Sequence, residues 1–187
     1  MSEVGHGNPW SAEKFVREEI ADRKSLLESP FVIQVDGKVV LDLALQIIDS
    51  TERSKEDIHF AFGNGIRMRT GSSHFLGFVD AWRRAVKSRL SQRDLMIGNA
   101  LPKELDFLDQ VVVAVNVVLP QAELRGDGTD KISEPTLRQH VRQACKKPLA
   151  KLMKDHPEIL DHLIQANQSN QAMQGVVKQT AATETEI

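Results

Sequence analysis

The sequence predicts an α+β fold, with a mixed or antiparallel sheet of about five strands packed against an N-terminal helix, a central amphipathic helix and C-terminal helices. Three observations carry this. Two β-rich runs turn on glycine dipeptides, the run QVVVAVNVVLP is apolar on both strand faces, and residues 73–90 repeat their large apolar groups at helical spacing.

The first element reads as a helix over 11–28. Trp10, Ser11 and Phe15 stand where a hydrophobic staple needs its outer residue, cap and fourth helical residue, and Val16, Ile20 and Leu27 continue the stripe. Ser29-Pro30 ends it, because the residue before proline avoids the helical region. FVIQVDGKVVLDLAL then reads as a hairpin with a two-residue turn at Asp36-Gly37. Phe31, Ile33 and Val35 share one strand face, as do Val39, Leu41 and Leu43. The end of this run, LALQIID, could instead begin a short helix.

After the polar connection DSTERSKE, a second hairpin reads IHFAFGNGIRMRT with Gly63-Asn64-Gly65 as its turn. Alternation then sends Ile58, Phe60, Phe62, Ile66 and Met68 inward and Arg67 and Arg69 outward. Gly71-Ser72-Ser73 offers a helix cap, followed by Phe75, Val79, Trp82 and Val86 at i, i+4, i+7 and i+11. A short helix is expected through Lys103 to Leu108, then a central strand near 111–119 closed by Pro120. AELRGDGTDKI reads as a loop. Ser133 and Glu134-Pro135 open a helix carrying Leu137, Val141 and Cys145, and Pro148 and Pro157 are expected to divide the rest into short helices. Residues 1–165 make one domain with a helical C-terminal portion; 166–187 are a polar tail rich in Gln and Thr.

Composition narrows the class. At 41% hydrophobic, 27% charged and a formal charge of −2, the chain reads as soluble and globular. Its longest apolar run, 111–119, is far short of the roughly 20 residues that span a bilayer, so no membrane partner is expected. No signal-peptide pattern opens the chain, and one cysteine, Cys145, suits a reducing compartment, cytoplasmic or otherwise intracellular.

The charges are sorted along the chain. Residues 1–60 hold twelve acids against seven bases, whereas 81–93 and 138–154 together hold eleven of the 24 bases and no acid. These runs are either the solvated backs of core helices or a surface that holds phosphates.

Catalytic patterns are missing by comparison. His6, His59, His74, His140, His156 and His162 have no zinc spacing, Cys145 sits on an apolar stripe, and RGDGTD lacks the ligand set of a calcium loop. Neither a Walker loop nor a dinucleotide fingerprint is present. No catalytic residue, metal or cofactor is expected. The candidate nucleic-acid-binding residues are Arg67, Arg69, Arg83, Arg84, Lys87, Arg89, Arg93, Arg138, Arg142, Lys146, Lys147, Lys151 and Lys154. With no Tyr and the Phe and Trp residues occupied in cores, DNA or RNA would be held by its backbone.

The function expected from the sequence is a non-enzymatic, nucleic-acid-associated accessory or regulatory protein that also self-associates. The alternative is a structural or assembly subunit contacting protein partners through its tail and sheet edges. An enzyme with a dispersed active site, whose Arg residues bind substrate phosphates, ranks third.

Overall fold

A computed structural model describes residues 10–49, 58–93, 107–119 and 131–166. In chain order it holds α1 (Ala12–Glu19), β1 (Phe31–Val35), β2 (Val40–Ile47), β3 (His59–Gly63), β4 (Ile66–Met68), α2 (Ser73–Gln92), β5 (Val111–Val118) and α3 (Pro135–Asp155). A further helix, α4, covers 158–166. The strands form one sheet in the order β1-β2-β5-β3-β4, with β3 and β5 parallel and every other pair antiparallel. The fold is the expected α+β arrangement with a mixed sheet.

The valine-rich strand β5 lies at the centre, and residues 111–117 are buried throughout. Alternation divides its side chains between two cores. Val111, Val113, Val115 and Val117 pack with Phe78, Trp82, Val141 and Leu149 of α2 and α3. Val112 and Ala114 pack with Val16 of α1 and with Phe60 and Phe62 of β3. Fully buried side chains such as Trp82 and Phe78 contribute about 1.5–3 kcal/mol each by leaving water.

α1 docks through its N-terminus. The buried Asp42 carboxylate on β2 accepts the Ala12 N–H at 2.9 Å, a favourable charge for a helix start, and also accepts from Gln34 Nε2 at 3.2 Å. Trp10, Phe15, Phe60 and Phe62 form an aromatic cluster beneath it, with centroids 4.5–5.1 Å apart for the Trp10–Phe62, Phe15–Phe60 and Phe15–Phe62 pairs.

Three local expectations are corrected. α1 stops at Glu19 rather than reaching 28, because the following chain is captured by β2. The buried Gln46 amide accepts the Leu27 N–H at 3.2 Å and donates to the Leu27 carbonyl at 2.9 Å, while Leu26 N–H donates to the Ile47 carbonyl. The first hairpin has a longer loop than two residues, since Val35 pairs with Leu41. LALQI continues the second strand, as the alternating run predicts. Finally, α3 runs unbroken through Pro148. The proline costs that helix on the order of 3 kcal/mol, and the buried Cys145, Leu149, Leu152 and Met153 around it hold the helix to the core regardless.

The second hairpin also differs, in register. Asn64 and Gly65 alone make the turn, with φ of 51° and 77°, so Gly63 pairs with Ile66, Phe62 with Arg67 and Ala61 with Met68. A three-residue turn would have put Phe60, Phe62, Ile66 and Met68 on one face. The two-residue turn moves Met68 to the α2 side of the sheet, leaves Ile66 63% exposed, and places Arg67 on the α1 side. The expected helix at Lys103–Leu108, apart from 107–108, lies outside the described residues. So do the loop before Lys131, the connection at 50–57 and the tail from 167.

α2 and α3 come into close backbone contact at Gly77. A Cβ there would stand 2.5 Å from the Arg138 carbonyl oxygen and 3.0 Å from Val141 Cβ, so only glycine fits between the two helices. Gly77→Ala is expected to destabilise the protein by about 2 kcal/mol in denaturant titration, despite alanine's better helix propensity.

In the first turn of the same helix, His74 is fully buried and neither ring nitrogen has a partner. Burial pushes its imidazole down to about 4 from an ordinary 6.5. The unfolded chain therefore takes up a proton that the folded chain refuses between those values, and stability falls as pH drops from about 6.5 to 4. The loss is on the order of 3 kcal/mol and then levels off. Thermal melts of His74→Leu across that window should show this slope removed.

Candidate nucleic-acid interface

The two basic runs fall on α2 and α3, which lie against each other on one face of the sheet. Their apolar stripes enter the core, so Arg83, Arg84 and Lys87 of α2 and Lys146 and Lys147 of α3 stand exposed, with Arg142 half-buried. A single carboxylate joins the helices. Asp80 of α2 accepts from Arg138 Nε at 2.8 Å and from Arg138 Nη2 at 2.9 Å, a two-pronged pair.

That pair holds the Asp80 carboxyl below its ordinary range. Partial burial opposes the shift, while Arg142 and Arg83 pull in the same direction. Arg83 from one helix and Arg138 and Arg142 from the other thus converge on one acid. Arg83, Arg84, Arg142, Lys146 and Lys147 enter no salt bridge among the described residues. In the sequence Asp80 reads as one polar residue on the helix back; its partner lies 58 positions away, a distance that no local pattern reveals.

The remaining candidates are placed elsewhere or engaged. Arg67 lies on the opposite, α1 side of the sheet, its guanidinium 4.5 Å from the Phe60 ring centroid, so it does not join the helical wall. Arg69 is exposed just past β4. Arg89 is half-buried, its Nε without a partner and its Nη1 donating to Gln92 Oε1 at 2.8 Å. Arg93 pairs with Asp161, and Lys151 with Asp155. Lys154 is exposed beside that second acid.

Other reactive groups are structural. Burial pushes the Cys145 thiol up to about 12, which leaves no nucleophilic thiolate at neutral pH. His59 Nε2 lies 3.1 Å from the Leu108 carbonyl, and His162 Nε2 3.1 Å from the Ile48 carbonyl. Among the described residues, no three His, Cys, Asp or Glu gather as metal ligands.

Helix N-termini are the other natural anion sites, and at the starts of α2 and α3 the chain's own groups engage part of them. At the start of α2, the Ser73 N–H donates to the Ile132 carbonyl at 2.8 Å. The Ser72 hydroxyl accepts from Ile132 N–H at 3.2 Å, and the Ser73 hydroxyl accepts from Glu134 N–H at 2.7 Å. At the start of α3, the Glu134 carboxylate accepts both the Thr136 N–H at 3.1 Å and its hydroxyl at 2.8 Å.

Among the described residues, no helix is long and apolar enough to cross a membrane.

Comparison with known proteins gives consistent matches. The family model described as DNA gyrase B matches residues 12–183. The chain is 24% identical over 158 residues to the DNA gyrase B protein of Chlamydia muridarum, covering 81% of this chain and 19% of that protein. It is 25% identical over 150 residues to the chloroplastic/mitochondrial DNA gyrase B protein of Oryza sativa subsp. japonica, covering 76% of this chain and 19% of that one. The chain thus spans about a fifth of the length of these curated relatives.

Among solved structures, the 43K ATPase domain of Thermus thermophilus gyrase B in complex with an aminocoumarin has the same fold. Its TM-score is 0.70 at 21% identity, over 89% of this chain and 45% of that one. The topoisomerase IV ATP binding domain of Francisella tularensis aligns with a TM-score of 0.62 at 16% identity, over 84% of this chain and 42% of that one.

These matches overturn the expectation of a non-enzymatic accessory or regulatory protein, and with it the structural-assembly alternative: the matching family is part of an enzyme, and its solved relative is an ATPase domain. RNA-binding and regulatory roles gain no support from them. The sequence misled because the chain carries no phosphate-cradling glycine motif, so a basic surface was left as the only visible chemistry.

The Asp80–Arg138 clamp is testable apart from any function. Asp80's lowered pKa means that its contribution is complete at neutral pH and disappears as pH falls below the ordinary carboxylate value of 3.8. Asp80→Asn and Arg138→Gln should each lower the melting temperature at pH 7. The double variant should melt close to the worse single one, with coupling that shrinks in 1 M salt.

Proposed function

Because the chain belongs to the DNA gyrase B family, we propose that it works as part of an ATP-dependent DNA topoisomerase subunit, in the portion of the ATPase module that does not itself cradle the nucleotide. One observation carries this reading: the family match runs from 12 to 183, yet the same chain corresponds to less than half of the gyrase B ATPase-domain structure whose fold it shares. Two first-turn amides are already committed within the fold, Ser73 N–H to the Ile132 carbonyl at the start of α2 and Thr136 N–H to the Glu134 carboxylate at the start of α3, which supports the second half of the proposal.

In this role the sheet and its two helices are a rigid body beside the nucleotide site, and the partners are DNA and the other subunits of a gyrase or topoisomerase. Such work is done where DNA is kept, an intracellular and reducing setting that suits the single unpaired, buried Cys145.

Two measurements test it. The purified chain should bind no fluorescent ATP analogue and hydrolyse no ATP above background. Added to the gyrase-type subunits purified from the same source, it should co-elute with them and change their ATP-dependent supercoiling rate. Nucleotide binding by the chain alone would overturn the assignment to the non-cradling portion; failure to associate or to alter supercoiling would overturn the topoisomerase reading itself.

A further inference from the structure

We propose that the outer edge of β1 pairs with the same edge of a second copy of this chain, antiparallel and centred on Ile33, so that two sheets join into one. The pairing stands on the geometry of the edge and does not depend on the topoisomerase reading.

Among the described residues β1 has a strand neighbour on one side only, β2, and so ends the sheet. Phe31, Ile33 and Val35 oppose Leu45, Leu43 and Leu41. Odd-numbered residues of β2 direct their backbone groups toward β1, since the Ile47 carbonyl accepts from Leu26 N–H on that side, whereas Ile48 N–H donates to the Gln110 carbonyl on the β5 side. By antiparallel alternation, Phe31, Ile33 and Val35 bond to β2, and Val32 and Gln34 turn their N–H and carbonyl groups outward.

Sheet edges are ordinarily guarded by charge, a bulge or a cover. β1 reads FVIQV, β-branched or aromatic at every position but Gln34, and it carries no charge. Phe31, Val32 and Val35 are half-buried in a single copy.

The edge matches its own reverse, which selects a second copy as the occupant. In an antiparallel pair centred on Ile33, Val32 of each copy faces Gln34 of the other, and each such pair exchanges two hydrogen bonds. Pro30 then faces Asp36 and, having no N–H, ends the ladder. Beyond the strand, Glu28 of one copy and Lys38 of the other come to the same end, and the same opposite-charge pair recurs by symmetry at the other end. Both side chains are exposed, and neither enters a salt bridge among the described residues. Centring on Val32 would instead bring Glu28 to Asp36, of like sign, and set Gln34 against Pro30. Centring on Gln34 would set Lys38 against Pro30, with no acid to meet it.

The side chains agree with this register. Phe31, Ile33 and Val35 belong to the core on the α3 side, and Val32 to the core on the α1 side. Pairing sets Phe31 against Val35 of the other copy, an aromatic against a β-branched residue, and covers surface that one copy leaves half-buried. A contact one strand wide is small, so the dimer should be weak and concentration-dependent.

The test is sedimentation velocity of the full chain from low micromolar to millimolar concentration, with amide hydrogen exchange followed at both ends of the range. Wild type should pass from monomer to dimer, and the Val32 and Gln34 amides should gain more protection than that of Ile33 between them. Glu28→Lys or Lys38→Glu alone turns two symmetry-related attractions into repulsions and should weaken the dimer by roughly tenfold at low salt. The combined Glu28→Lys/Lys38→Glu should restore it to within about threefold, and Lys14→Glu on α1 should leave it unchanged within the same margin. Val32→Pro removes an outward N–H that β2 does not use and should abolish the dimer; if the proline unfolds the protein, the charge reversals and their rescue decide alone.

A chain that stays monomeric across the range overturns the proposal. So does a dimer indifferent to the charge reversals, or one that leaves the Val32 and Gln34 amides unprotected, since association would then run through another surface. Protection of these amides only when gyrase-type subunits are added would assign the edge to a different protein and overturn the second copy as occupant. The topoisomerase reading is judged separately, by co-elution and supercoiling, and stands or falls apart from these results.

Discussion

The architecture depends on one strand being buried from both sides. β5 pairs antiparallel with β2 and parallel with β3, and its seven residues 111–117 meet no solvent. A strand in that position cannot be satisfied by a single layer. Its odd-numbered valines require an apolar cover, which α2 and α3 supply, and Val112 and Ala114 require another, which α1 supplies. The parallel pairing with β3 adds a topological demand, since parallel neighbours need a crossover long enough to return the chain to the same end of the sheet. α2 lies within that crossover and is held to the α3 side by Trp82, whose indole N–H donates to the Phe107 carbonyl at 2.9 Å just before β5 begins. Even the second hairpin is referred to this strand: Asn64 exchanges two hydrogen bonds with Leu119, and Gly65 N–H donates to the Asn116 side chain.

From this follows the crowding of α2 and α3. Both must cover the same sheet face, and at Gly77 their backbones come closer than any side chain permits. Close packing of two helices with apolar inner stripes forces their polar residues onto a shared outer side. Here those residues are mostly Arg and Lys, so packing that is favourable for the core concentrates like charge outside it. The Asp80–Arg138 pair relieves part of that repulsion at the seam, and the helices stay together because the buried area under them outweighs what repulsion remains among screened surface charges.

What could be read from the sequence was whatever depends on periodicity. The valine run, the i, i+4, i+7 stripe of α2 and the existence of two hairpins are properties of neighbouring residues, and each was legible. What depends on partners far along the chain was not. The end of α1 is set by Gln46, 19 residues beyond Leu27; the continuity of α3 through Pro148 is set by the core it faces. The register of the second hairpin turned on whether Gly63 belongs to the turn or the strand, a difference of one residue that reverses a face and carries Arg67 to the other side of the sheet. Of the candidate site, the helical members were legible as a group because α2 and α3 had to share a face, but which charges survive pairing was not: the acids opposite Arg93 and Arg138 come from 68 and 58 residues away.

The family relation was illegible for a related reason. A P-loop or dinucleotide-binding protein is recognised from sequence by a short glycine-rich stretch whose amides receive phosphate, and those are the signals this chain lacks. In this chain Ser72, Ser73 and Glu134 stand at the starts of α2 and α3, where they tie α2 to the segment entering α3 and hold the first turn of α3. The same few residues therefore do two things at once. They commit the Ser73 and Thr136 amides, and they fasten the start of α2 to the segment entering α3. Polar groups used to lock α2 against the segment entering α3 are committed to the fold, and the long basic side chains of both helices are left on their outer side.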